Sequence, residues 1–73
     1  MKEYNFTVVV EKDEEGNFLA ICPALQGCYT QGRTLAEALE MAEDAIKLSI
    51  ESRTAHGEPI PEELFSAQLK IVV

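Results

Sequence analysis

Gln31-Gly32-Arg33-Thr34-Leu35-Ala36-Glu37-Ala38 is the stretch on which the chain changes from one periodicity to another. Thr34-Leu35-Ala36-Glu37 has the form of a capping box, in which the Thr hydroxyl accepts the backbone N–H three residues on and the Glu reaches back. A helix is expected to start at Leu35. No Pro or Gly interrupts the following residues until Gly57, and Arg53 suits the last turn, so the helix is placed at Leu35 to Arg53, about 30 Å long. Upstream, Tyr4 to Lys12 alternates as a strand, the charged KDEEGN segment (12–17) reads as a hairpin turn, and Phe18 to Cys22 forms the returning strand. Pro23 stops it, and a short third strand runs from Cys28 to Gln31. Downstream, GEPIP (57–61) cannot stay helical, and Ala67 to Val73 alternates again. The order is β-β-β-α-β in one domain, residues 1–73. The simplest α+β arrangement is a mixed four-stranded sheet of order 3-2-1-4, with the last strand parallel to the first and the helix on one face.

Composition limits what such a domain can do. The 73 residues carry 13 acidic side chains against 6 Lys and Arg, for a net charge of −7. Nucleic-acid binding draws on cations that neutralise phosphates, so direct binding of DNA or RNA is not expected. No apolar run approaches a membrane span and MKEYNF is no signal peptide, which leaves a cytoplasmic address and no membrane partner. Cys22 and Cys28 are too few for a disulfide scaffold and fit no common zinc spacing; they are expected as reduced, packed thiols.

The apolar surface exceeds what one layer can cover. Glu37, Glu40, Glu43, Asp44, Lys47 and Glu51 gather into one charged arc of the helix. Leu35, Ala38, Leu39, Ala42, Ile46, Ser49 and Ile50 form the stripe for the sheet, and Met41, Ala45 and Leu48 widen the apolar arc to roughly 200°. Either the segment from Pro59 to Phe65 folds over Met41 and Leu48, with Leu64 and Phe65 as cover, or a partner chain does. If Phe6, Val8, Val10, Leu69 and Ile71 face the helix, the other sheet face carries Val9, Val72 and one apolar set of the second strand, either Leu19 and Ile21 or Phe18, Ala20 and Cys22. Such a patch usually marks an interface. A homo-oligomer is expected, most simply a twofold dimer, with Val9, Val72, Met41 and Leu48 at its interface.

Catalytic chemistry is thinly represented. His56, the single His, precedes Gly57 at a helix end, where it suits the helix dipole. Neither Cys has a His nearby in sequence, and Ser49, Ser52 and Ser66 sit in no nucleophile motif. Glu11, Asp13, Glu14 and Glu15 cluster at a hairpin end, where a solvated turn accounts for them. No catalytic residue, metal-ligand set or cofactor site is expected. The alternative is a degenerate metal-dependent nuclease holding Mg²⁺ or Mn²⁺ with some of Glu11, Asp13 and Glu14.

Residues 21–38, ICPALQGCYTQGRTLAEA, resemble the signature of the HicB antitoxin family at Pro23, Leu25, Gly27, Gly32, Thr34, Glu37 and Ala38. Ala24, Gln26 and Arg33 depart from it, replacing a usual acid, a usual Pro and a usual acid. The resemblance runs through essentially the whole chain and implies a partial RNase H-like β-β-β-α-β domain without the ribonuclease carboxylates. It further implies a non-catalytic antitoxin that masks a small basic HicA-type toxin, an mRNA-cleaving protein, with Pro23, Leu25, Gly27 and Tyr29 as the partner-contacting positions, or else a solitary HicB-like domain with a different partner. An acidic protein suits electrostatic steering toward a basic partner.

Overall fold

The structure, a computed structural model, describes residues 2–73. Strand β1 is Val9–Lys12, β2 is Phe18–Ile21 and β3 is Tyr29–Gly32, followed by a single helix, α1, at Leu35–Ala55. The strands form an antiparallel sheet of order β1-β2-β3.

The hairpin between β1 and β2 is built around Asp13. Its backbone N–H donates to Asn17 O at 2.9 Å, and its Oδ1 accepts the N–H groups of Glu15 and Asn17, both at 2.9 Å. This closing pair sets the register, Val9 opposite Ile21 and Glu11 opposite Leu19. Extending the same register backwards sets Thr7 against Pro23, which has no N–H to give. The expected first strand from Tyr4 to Lys12 is therefore paired only from Val9 onward.

Helix α1 begins where the capping box places it. Glu37 N–H donates to Thr34 Oγ1 at 3.1 Å, a bond worth about 1 kcal/mol at such positions, while Glu37 Oε1 accepts from Arg33 N–H at 3.3 Å, one residue earlier than the motif prescribes. The other end is a Schellman motif: Gly57, at φ +69°, donates to Thr54 O, and Glu58 N–H reaches back to Arg53 O. The helix thus runs two residues past Arg53.

The axis of α1 lies over β3 and β2 and not over β1. Small residues permit the approach. Ala20, Ala38 and Ala42 are buried together, and Val8, Val10 and Phe18 pack around them. Thr30 Oγ1 donates to Ala38 O at 3.1 Å, and a Cβ on Gly32 would stand 2.6 Å from Ala38 N. The helix-facing set of the second strand is therefore Phe18, Ala20 and Cys22, and Leu19 and Ile21 face away.

The four-stranded sheet of order 3-2-1-4 does not form. Residues 67–73 pair with nothing among the described residues, and Leu69, Ile71 and Val72 are exposed. The segment leading to them is pinned at Glu63, whose carboxylate accepts both the backbone N–H of Thr7 and its hydroxyl, the latter at 2.6 Å. By the alternation of the ladder that N–H points to the β2 side, so the segment is held there, beside Pro23 and Ala24, and not along the open edge of β1. Ser66–Gln68 line one groove together with Thr7–Val10, Pro23 and Ala24. Leu35 and Leu39 of α1 are more than two-fifths exposed. Leu64 and Phe65 are 96% and 84% exposed, so they do not cover Met41 or Leu48.

Candidate functional site

The turn from β2 to β3 is closed by three backbone hydrogen bonds. Leu25 N–H donates to Cys22 O and Cys28 N–H to Leu25 O, and Cys22 N–H closes the loop on Cys28 O at 3.0 Å. Gly27 takes φ +75°, which a side chain would resist. These bonds roll Leu25 inward until it is 1% exposed, the largest fully buried side chain. Leu25 is therefore part of the core rather than the surface on which a partner contact was expected.

Of the other expected partner and interface positions, the structure brings some together. Gly27, Tyr29 and Leu48 line one shallow depression with Gln26, Cys28 and Ala45, between the turn and the outer half of α1. Tyr29 is 67% exposed and Leu48 66%. Val9, Ile21 and Tyr29 stand side by side across the three strands, an apolar row on the face turned away from α1. Pro23 lies elsewhere, in the groove along β1 with Val9. Met41 is exposed on α1, and Val72 lies in the exposed tail. Ile21 was missed as a partner of Tyr29, because only the register across the hairpin aligns them.

A few titratable groups are engaged in structure. Asp13 braces its turn with Oδ1 and accepts from Gln31 Nε2 with Oδ2 at 3.1 Å. Among the described residues no three His, Cys, Asp or Glu side chains converge as a metal site would require. Burial, with the Cys22 thiol beside it, raises the pKa of Cys28 above the usual thiol range. Cys28 is thus protonated at neutral pH and a poor nucleophile. His56 Nδ1 lies 2.7 Å from Ser52 O at the helix end, a capping contact.

Glu63 is held below its usual carboxylate range, first by the Thr7 hydroxyl and then by the Thr7 N–H, both donating to the charged form. A carboxylate with a depressed folded pKa contributes stability above its unfolded value, about pH 4.3, and that contribution is lost as pH falls through the lower folded value. Urea denaturation of the parent and of Glu63→Gln is expected to differ most near pH 6 and to converge only as the pH falls through the lowered folded value of Glu63. Equal pH dependence of the two proteins would show that the clasp on Thr7 contributes nothing.

What these features define is a small α+β binding domain, with an exposed aromatic-apolar patch at one sheet end and its acidic groups spread over turns and a helix face. The chain belongs to the HicB-like antitoxins of bacterial toxin-antitoxin systems, whose family description matches residues 6–70. It is 45% identical over 71 residues to the UPF0150 protein ssr1765 of Synechocystis, covering 96% of this chain and 90% of that one. It is 47% identical over 58 residues to the UPF0150 protein Ta0767 of Thermoplasma acidophilum, covering 80% and 84% of the two chains. It is also 38% identical over 61 residues to Antitoxin HicB 1 of Photorhabdus laumondii, a match that takes in 84% of this chain and 39% of that longer protein. Among the described residues no helix is long and apolar enough to cross a membrane.

Proposed function

We propose that the chain is an antitoxin that binds a small basic HicA-type toxin and masks its RNA-cleaving surface, without chemistry of its own. Family membership over residues 6–70 carries this reading, and the net charge of −7 supports it. The contact surface is the patch of Gly27, Tyr29 and Leu48, continued by Ile21 and Val9 on the outer sheet face. An exposed Tyr beside aliphatic side chains is the composition of an interface hot spot, and the surrounding carboxylates steer a cationic partner. Since messenger RNA is the toxin's substrate, toxin and antitoxin meet in the cytoplasm. The protein works there as a homo-oligomer and makes no direct contact with nucleic acid.

Co-expression with the basic chain encoded beside its gene tests this. The two are expected to co-purify, and the purified antitoxin to suppress cleavage of a labelled messenger RNA by that chain. Tyr29→Asp is expected to weaken suppression about tenfold or more, the loss of a hot-spot side chain. Suppression unchanged by Tyr29→Asp would move the contact elsewhere. Manganese-dependent RNA cleavage by the antitoxin alone, abolished in Asp13→Asn, would overturn the reading.

A further inference from the structure

The tail, residues 67–73, is strand-like in sequence and unpartnered in its own chain. The protein exposes 6214 Å², about 1,700 Å² more than the roughly 4,500 Å² of a compact chain of 8.1 kDa. One side of a standard interface is about 800 Å², so the excess on each chain is about twice what one partner of a stable dimer needs to bury. The radius of gyration, 13.9 Å against about 11 Å for a compact chain of this length, tells the same story. The excess is concentrated in the tail, where Leu69 is 82%, Ile71 72% and Val72 84% exposed.

A matching vacancy lies along β1. The bond from Asp13 N–H to Asn17 O fixes which residues of β1 turn their backbone toward β2. By the alternation of antiparallel ladders these are Asp13, Glu11 and Val9, so Val10 and Lys12 present N–H and C=O groups to the open edge. An unpaired edge of this kind is a template for another strand. Beside it, Tyr4, Phe6 and Val8 face Leu39, Ile46 and Ile50 across an open groove of about 450 Å³.

We propose that the tail of one copy lies along the open β1 edge of a second copy, and reciprocally, in a twofold dimer held by exchanged tails. The occupant is a second copy because the tail carries the side chains that the edge lacks. Leu69, Ile71 and Val73 alternate onto one face and fill the groove beneath Leu39, Ile46 and Ile50. Lys70 and Val72 fall on the other face, where Glu11 and Val9 receive a cation and an apolar side chain. The tail's root, Ser66–Gln68, already lines a groove with Thr7–Val10, Pro23 and Ala24. Two chains related by a twofold axis there need only exchange the residues beyond it. The Glu63 clasp on Thr7 holds that starting point on the β2 side of β1, away from the open edge of its own chain.

The dimer is read without any toxin present, so its failure leaves the antitoxin reading standing. Sedimentation of the full chain at about 10–100 μM is expected to show twice the 8.1 kDa mass. The pair Leu69→Asp and Ile71→Asp, at positions exposed in the single chain, is expected to return it to one chain with unchanged helical circular dichroism. In an equal mixture of ¹⁵N-labelled and ¹³C-labelled copies, nuclear Overhauser contacts are expected between the amides of Val10 and Lys12 in one copy and the side chains of residues 69–72 in the other. A parent protein that sediments as a single chain overturns the proposal. So does a dimer that lacks those contacts, or one that survives both substitutions.

Discussion

Gly32→Ala is expected to destabilise the protein by about 2–3 kcal/mol, the upper part of the range for overpacking a close contact. Against the roughly 4–10 kcal/mol that holds a domain of this length together, that is a large fraction, and the melting temperature is expected to fall by more than about 10 °C. The new Cβ would stand 2.6 Å from Ala38 N and 2.9 Å from Ala38 Cα. Both are backbone atoms in the second turn of α1, so no side-chain rotation relieves the clash. Gly32 is not among the glycines with positive φ, so backbone conformation adds no penalty. Replacing Gly by Ala at a compatible backbone position would otherwise stabilise by about 0.4–1 kcal/mol through the unfolded chain. The two effects have opposite signs, and the contact outweighs the entropy. Urea denaturation of the two proteins decides the matter: a variant within about 0.5 kcal/mol of the parent would mean that α1 does not ride on β3 as closely as Gly32 and Thr30 indicate.

The same contact shows what is legible in the chain and what is not. Thr34, Glu37 and Gly57 mark the ends of α1 because capping and the Schellman turn are made by residues within a few positions of one another. Asp13 and the KDEEGN turn mark the hairpin for the same reason. The segment before the missing fourth strand is pinned by a contact between positions 7 and 63, where a Glu side chain takes the Thr7 N–H. No local pattern announces that contact, while the alternation of residues 67–73 announces a strand whether or not an edge is in reach. The partner surface divides likewise. Leu48 was legible as an apolar residue without cover and Tyr29 through the family resemblance, but their meeting with Gly27 depends on where α1 crosses β3. A small residue such as Gly32 is easily taken for a turn, when its role is to let two backbones touch.

Leu25→Ala carries the other large effect and separates two roles for the turn between β2 and β3. With its side chain 1% exposed, truncation removes buried methyl groups and leaves a cavity, changes that cost about 2–5 kcal/mol in well-packed sites. A turn closed by the bond from Cys22 N–H to Cys28 O relaxes only partly, so a loss of about 2–3 kcal/mol is expected, a large share of the total stability. If Leu25 acts through the fold, toxin affinity measured by calorimetry well below the melting temperature and corrected for the folded fraction will stay within about threefold of the parent, a difference under 1 kcal/mol. Tyr29→Asp is expected to do the reverse, since its exposed side chain holds little of the fold and much of the proposed contact. A Leu25→Ala protein of parental stability that no longer binds the toxin would place Leu25 at the interface and require the turn to open when the partner docks.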